Sequence, residues 1–484
     1  LILCQMDPCL LALPIIICTV SWRCCVAESI KLSVEEVELY ERDVTLRMPF
    51  KFGVTTLRES PQVFARVRIR LPDGREGWGL SAEMLAPKWF DKNLELSNDD
   101  NFDQLRHSLC TATKLYRTAP PATAFDLFHS NYDEQIRICG EKGDNSLVAC
   151  YGPAILDRAI LDSLCRLQKV SFYSAVQGNL PGITSDEFDM DRFLAGLRPA
   201  RSIHARHTVG MLDPIRENPQ PVADGLPETL SEVIATYGHN YFKIKVCGDL
   251  SEDIARLVEI ADLLNERDDE YIVSLDGNEQ YGDVRGVSAL LDGIESNPHL
   301  KRFNQSILFL EQPISRSVAL EVDVSTLSTR KPVILDESDG SLAAFPRGRE
   351  LGYSGVSSKT CKGLYKSILN RGRCAHWGRG FFMSAEDLTT QAGLSVQQDL
   401  ALVNLLGLTH VERNGHHYVN GLAGVPKAEQ VAFRIAHPDI YHEAGGVTRL
   451  TIKEGLIAIG SLNSVGFAYG AEPDFTVMRE LYCG

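Results

Sequence analysis

Residues 241–245 read Tyr-Phe-Lys-Ile-Lys, and the pattern they open decides the fold. Further on come Ile272-Val273-Ser274-Leu275-Asp276, Ile307-Leu308-Phe309-Leu310-Glu311, Val333-Ile334-Leu335-Asp336 and Val356-Ser357-Ser358-Lys359. The first four are runs of strand length, largely apolar, that close on a charge, and the fifth ends a short strand on Lys359. A charge is almost never fully buried unless it is paired, so a lysine or carboxylate ending a buried strand normally has a task. The gaps between these charges are each about one βα unit long.

The surrounding pattern agrees. Strands are expected at 203–210, 241–246, 271–275, 307–310, 333–335, 355–358 and 380–384. Helical periodicity falls at 226–237, 250–267, 286–296, 342–351, 362–371 and 390–406. The fourth of these helices is interrupted by Pro346. Some seven βα units in succession favour an α/β architecture with a closed parallel barrel, a modified (β/α)7-8 TIM-like barrel, over an open sheet. No Gly-x-Gly-x-x-Gly turn follows the first strand, which also disfavours a dinucleotide-binding fold.

Upstream, residues 30–42 and 63–71 alternate like strands, and Pro72-Asp73-Gly74 is a turn signal before the strand resumes at 76–80. This predicts a small N-terminal α+β capping domain. Residues 87–150 read as polar and irregular with helical stretches, and 154–167 as an amphipathic helix. Residues 447–453 and 456–459 are strand-like. The expected division is an unassigned extension over 1–27, a cap over 28–200 joined by a C-terminal piece at 462–484, and a barrel over 201–461.

The 484-residue chain is 44% hydrophobic with a formal net charge of -15, which excludes nucleic acid as the main partner but not an anionic substrate. Five of thirteen cysteines lie in the first 25 residues, and the others are scattered without zinc spacing. Scattered cysteines read as reduced and buried, which predicts a cytoplasmic protein. Leu10 to Val20 is a short apolar run without a basic n-region. It reads as an extension outside the fold, with an exported or tethered enzyme as the other reading.

In an α/β barrel the C-terminal ends of the strands converge on one mouth. Asp276, Glu311 and Asp336 would bring three hard oxygen ligands there, suited to Mg2+. Lys243 and Lys245, two apart, share a strand face, and their mutual repulsion should lower the pKa of one of them enough to make a base. Lys359 would face them across the mouth.

Lys-x-Lys, Asp276, Glu311 in Glu-Gln-Pro, Asp336 in Asp-Glu-Ser and Lys359 together resemble the muconate-lactonizing-enzyme subgroup of the mandelate racemase/enolase superfamily, over roughly residues 30–465. The resemblance implies that Asp276, Glu311 and Asp336 bind Mg2+, which grips a substrate carboxylate. It makes Lys245 and Lys359 acid/bases on opposite faces of the substrate, with Lys243 stabilising the enolate oxygen and tuning Lys245. The histidine that the mandelate-racemase branch places near strand seven is replaced by Ser384-Ala385-Glu386-Asp387. Glu386 and Asp387 are candidate substrate contacts, and Asn278 and Glu337 candidate supporting residues.

The implied reaction is Mg2+-dependent abstraction of the α-proton of a small carboxylate through an enediolate. Racemisation or epimerisation is preferred, with acid-sugar dehydration and cycloisomerisation as alternatives. A non-catalytic barrel that binds a small acid is the alternative from another class. A homo-oligomer is expected, and no membrane partner. Residues 48–53 and 78–86 read either as substrate-selecting loops over the mouth or as hairpin connections with apolar anchors. His204, His207, His376, His410, His416 and His417 read as ordinary histidines without a ligand cluster.

Overall fold

The computed structural model describes residues 30–53 and 55–483; the extension over 1–27 lies outside the described residues. Four antiparallel strands form the cap sheet: β1 (Ser33–Phe52), β2 (Thr55–Arg70), β3 (Glu76–Met84) and a short strand, Arg479–Glu480, beside β1. The turn at 72–74 joins β2 to β3, with Gly74 at φ +84°, where a side chain is disfavoured. β1 and β2 run well past their expected ends, because Phe50, Phe52 and Leu57 find apolar cover.

Residues 87–150 are more regular than their composition suggests. Helices Asn98–Thr118 and Ala124–Glu141 fill most of the segment. Their buried faces carry Ser108, Thr111, Thr113 and Gln135, which dilute the apolar period. Ser108 Oγ donates to the Ala149 carbonyl at 2.9 Å, and Gln135 Nε2 to the Ser108 carbonyl at 3.0 Å. Ser97 and Asp100 start the first helix with a reciprocal capping box. Helix Tyr151–Gln168 lies against β3 and is buried from Tyr151 to Cys165.

The second sheet is the barrel. Its strands are β4 (Ser202–Val209), β5 (Tyr241–Lys245), β6 (Ile272–Asp276), β7 (Ile307–Glu311), β8 (Val333–Leu335), β9 (Gly355–Ser358), β10 (Phe382–Ala385) and β11 (His410–Glu412). These eight run parallel to their neighbours, in the order β10-β9-β8-β7-β6-β5-β4-β11, and a ninth strand, Leu456–Ala458, pairs antiparallel with β4. Helices alternate with the strands, as the periodicity predicts. Pro346 sits in the first turn of its helix (Ala344–Glu350), where a missing N–H costs nothing. The eighth strand escapes the sequence pattern because His410-Val411-Glu412 has a single apolar residue.

The chain end returns to the cap: Arg479 and Glu480 pair with Glu41 and Tyr40 of β1, and Phe467 stacks on Phe172 at 3.8 Å between ring centroids. Cys110 and Cys483 form a disulfide, which corrects the expectation that the scattered cysteines are reduced. Their 373-residue separation hid the pairing from any spacing argument. Cys139, Cys150, Cys165, Cys361 and Cys374 are free and buried, and Cys247 is free and partly exposed. Among the described residues no helix is long and apolar enough to cross a membrane.

Candidate active site

The strand register puts the charges side by side. Lys245 pairs with Asp276, and Asp276 with Glu311, across β5, β6 and β7. Asp336 follows β8, and Lys359 follows β9. Five neighbouring strands therefore present lysine, aspartate, glutamate, aspartate and lysine in spatial order, with both lysines at the ends of the carboxylate arc. All five side chains are buried.

Lys243 and Lys245 share a strand face: their ammonium groups reach the same oxygen, Asp276 Oδ2, at 2.9 and 2.5 Å. Lys243 also donates to Glu311 at 2.9 Å, Glu386 at 2.8 Å and Glu412 at 3.1 Å. Lys359 donates to Asp336 Oδ2 at 2.7 Å. On its other oxygen Asp336 accepts from Ser357 Oγ, and Lys362 Nζ lies 3.4 Å away. The three carboxylates are thus divided between two ion-paired groups, one around Lys243 and one around Lys359.

These partners set the charge of Lys243 and Lys359. Burial pulls the Lys243 ammonium down, but four surrounding carboxylates outweigh it and hold Lys243 well above the ordinary lysine value. Burial likewise opposes Lys359, and Asp336 lifts it above that value. Asp336 is held far below the carboxylate range: burial acts against it, and Lys359 and Lys362 prevail. Glu311 goes the other way, raised by burial and by the negative neighbours Asp276 and Glu386. Its Oε2 is buried with no hydrogen-bond partner.

A hard divalent cation suits such a place. Asp276, Glu311 and Asp336 offer oxygen donors only, and a cation is the partner that an orphaned carboxylate oxygen among like charges would accept.

Asn278 and Glu337 support the arc. The Asn278 amide N–H donates to Asp276 Oδ1 at 2.8 Å, and its side chain to Glu337 at 3.1 Å. Lys92 of the cap lies 3.4 Å from Glu337 and pairs with that carboxylate. Asn278 and Gln312, just past β6 and β7, adopt left-handed φ of 39° and 35°, a strained conformation concentrated where two carboxylate-bearing strands turn. Glu386 is buried against Lys243 and Arg206. Asp387 accepts the backbone N–H groups of Asn414 and Gly415 at 3.1 and 3.2 Å.

Sequence reasoning missed Glu412, Arg206, Lys362 and Trp89. Glu412 belongs to the unrecognised strand. Arg206 lies in the middle of β4 and joins β10 to β11, reaching Ser384 at 3.0 Å and His410 at 2.7 Å. Trp89 lies beyond the 78–86 stretch. The mouth is a small cavity of about 30 Å³ in which Phe50, Phe52, Leu57, Ala86 and Trp89 of the cap face Lys243, Lys245, Asn278, Lys359, Asp387 and Glu412. Residues 48–52 are thus both hairpin strand and mouth lining, while 78–84 are strand and only the segment after β3 reaches the mouth.

No protein-family model matches the chain, and no curated protein matches it in sequence. Solved structures do match in three dimensions. A dipeptide epimerase from Cytophaga hutchinsonii, complexed with Mg and the dipeptide D-Ala-L-Val, superposes with a TM-score of 0.58 at 15% identity, over 93% of this chain and 99% of its own. A muconate lactonizing enzyme from Pseudomonas fluorescens, complexed with muconolactone, gives 0.55 at 17% identity, over 91% and 97%. An enolase-superfamily protein from Listeria innocua gives 0.59 at 14% identity, over 94% and 100%. An N-terminal α+β cap on a parallel barrel, matched over nearly its full length, gives this chain the fold of the enolase superfamily.

Proposed function

We propose that the protein is a Mg2+-dependent enzyme that removes the α-proton of a small carboxylate, and that it works as a racemase or epimerase. The observation that carries this reading is the order of charges on five adjacent strands, with Lys245 and Lys359 at opposite ends of the carboxylate arc. Asp276, Glu311 and Asp336 would hold the cation, which supplies fixed positive charge to offset the negative charge of an enediolate.

The chain's own groups do the rest. Lys245 removes the α-proton from one face, and Lys359 returns one to the other, so the configuration inverts. Lys243 stays charged among Glu311, Glu386 and Glu412 and sits where negative charge develops. The apolar cap side chains exclude water and leave room for selectivity by shape.

Similarity to dipeptide epimerases puts dipeptides first among substrates to try. Cycloisomerisation and dehydration begin with the same proton removal, and product analysis separates them. The domain division stated above and a homo-oligomeric state belong to the same proposal; light scattering tests the latter. A cytoplasmic location rests on the six free cysteines among the described residues, and the Cys110–Cys483 bond weighs against it. Thiol counting on protein from its native source decides between them.

The test is exchange of substrate α-protons with solvent deuterium across dipeptides, amino acids, acid sugars and hydroxy acids, with Mg2+. Wild type is run beside Lys245→Ala and Lys359→Ala. Exchange that requires Mg2+, and that each variant loses for one stereoisomer only, is expected. No exchange over the panel together with no Mg2+ binding would leave only the small-acid-binding barrel.

A further inference from the structure

Alternation along β4 sends Arg206 and Thr208 into the barrel, where they bond Glu386 and Glu412, and turns His207 outward. There His207 meets His239, from the connection between helix Leu230–Tyr237 and β5, and His416, from the short helix Gly415–Tyr418 after β11. The rings form a nearly equilateral triangle, with centroids 5.3, 5.6 and 5.7 Å apart. One nitrogen of each lies within 4.8 Å of the other two.

The hydrogen bonding is incomplete in a telling way. His239 Nδ1 donates to the Ala205 carbonyl at 3.0 Å, which fixes its tautomer and leaves a lone pair on Nε2. That backbone bond is the outer support usual for a metal-ligating imidazole. His239 Nε2, His207 Nδ1 and both nitrogens of His416 are buried without a partner. Native interiors leave few polar atoms so, and an ion or water normally accounts for them. His417 is not part of the group: it packs edge-on at 5.0 Å from His207 and directs Nε2 toward Asp213.

We infer that His207, His239 and His416 bind one transition-metal ion of the Zn2+ class, at a site separate from the carboxylate and lysine groups of the mouth. Three imidazoles with no carboxylate are borderline-soft donors that select Zn2+ over Mg2+. Burial pushes all three down, His239 to about 4, so they are neutral and able to ligate near pH 7. His416 also borders a cavity of about 180 Å³ walled by Tyr237, Arg413 and Asp387, which can supply water as a fourth ligand. A metal there ties the segment after β11, and with it Glu412, to β4. The proposed site takes the place of the ordinary histidines expected at His207 and His416. The third ligand, His239, lies beyond any local spacing rule.

The test uses the full chain, freed of metal by a chelator and titrated with Co2+ in a large excess of Mg2+, then with Zn2+. One Co2+ per chain, with the visible d–d absorption of a tetrahedral nitrogen site and displacement by one Zn2+, is expected. His239→Gln and His416→Gln should lose at least tenfold in Co2+ affinity and lose the band, while Glu311→Gln keeps both. Circular dichroism of the metal-free proteins checks their folding, and His416→Gln, at a partly exposed ring, carries the test if His239→Gln does not fold. Absence of the band in wild type, or a band that Mg2+ or Glu311→Gln removes and His416→Gln leaves, overturns the site. Neither result depends on whether the mouth is catalytic.

Discussion

Lys359 of the barrel holds its ammonium 4.0 Å from the ring centroid of Trp89 of the cap, while donating to Asp336 at 2.7 Å. A desolvated cation over an indole face is worth about 2 kcal/mol. Trp89 is therefore expected to fix the lysine's position as well as to line the mouth. Trp89→Leu should slow exchange at the Lys359 face by up to roughly 30-fold, the equivalent of that energy, with a smaller effect at the Lys245 face. Following exchange from each stereoisomer separately measures this. Equal losses on both faces would mean that Trp89 only shapes the cavity.

Lys243 carries a second prediction. It is the common partner of Asp276, Glu311, Glu386 and Glu412, all buried. Removing one partner of a buried ion pair leaves uncompensated charge and costs about 3–5 kcal/mol. Lys243→Met should destabilise the metal-free protein by that order, and Mg2+ should raise its Tm more than it raises the wild-type Tm, because the cation takes over part of the neutralisation. Thermal unfolding with and without Mg2+ checks both statements. Equal Mg2+ shifts in the two proteins would separate Lys243 from the cation site.

Much of this was legible in the sequence because a buried charge at the end of a strand is improbable without a purpose. The runs ending at Lys245, Asp276, Glu311 and Asp336 announced both the barrel and its mouth. What was not legible depends on contacts between distant segments. Arg206, Glu386 and Glu412 come from three strands, and only the folded barrel shows that Lys243 stays charged among the carboxylates. The helices of the cap were obscured by buried polar side chains, among them Ser108 and Gln135, whose bonding partners lie on other helices. The Cys110–Cys483 disulfide and the three-histidine group share that character, since each joins residues far apart in sequence.

Packing between β3 and helix Tyr151–Gln168 gives a third prediction. A Cβ at Gly79 would stand 2.0 Å from the Ala159 carbonyl oxygen and 2.2 Å from the Ser163 nitrogen, both backbone atoms that cannot swing aside. Gly79→Ala should cost about 1–3 kcal/mol or more, as overpacking does. Gly140 is the control: it lies in helix Ala124–Glu141, and an added Cβ meets nothing within 4 Å. Gly140→Ala should be stabilising by about 0.5–1 kcal/mol through helix propensity. Denaturant midpoints at constant m-value give both numbers, and similar values for the two variants would contradict the close approach.

Asp162 links stability to pH through the same helix. Its carboxylate is buried and accepts the backbone N–H groups of Leu80 at 2.9 Å and Phe467 at 2.7 Å, so it joins the cap sheet to the returning chain end. Burial pushes its pKa up to about 6 from the ordinary 3.8, against the pull of Arg166 and the two amides. The folded protein then binds this proton more tightly than the unfolded chain. The resulting stabilisation is complete below about pH 4 and is lost as pH rises through about 6. The rise from 3.8 to about 6 corresponds to roughly 3 kcal/mol. Asp162→Asn removes the titration while keeping one acceptor. The stability of wild type minus that of the variant should therefore fall by roughly 3 kcal/mol between about pH 4 and pH 7, then stay level. Urea unfolding of both proteins across that range measures the difference. A difference independent of pH would show that Asp162 titrates alike in the folded and unfolded chains, and that the two amide bonds and Arg166 fully offset its burial.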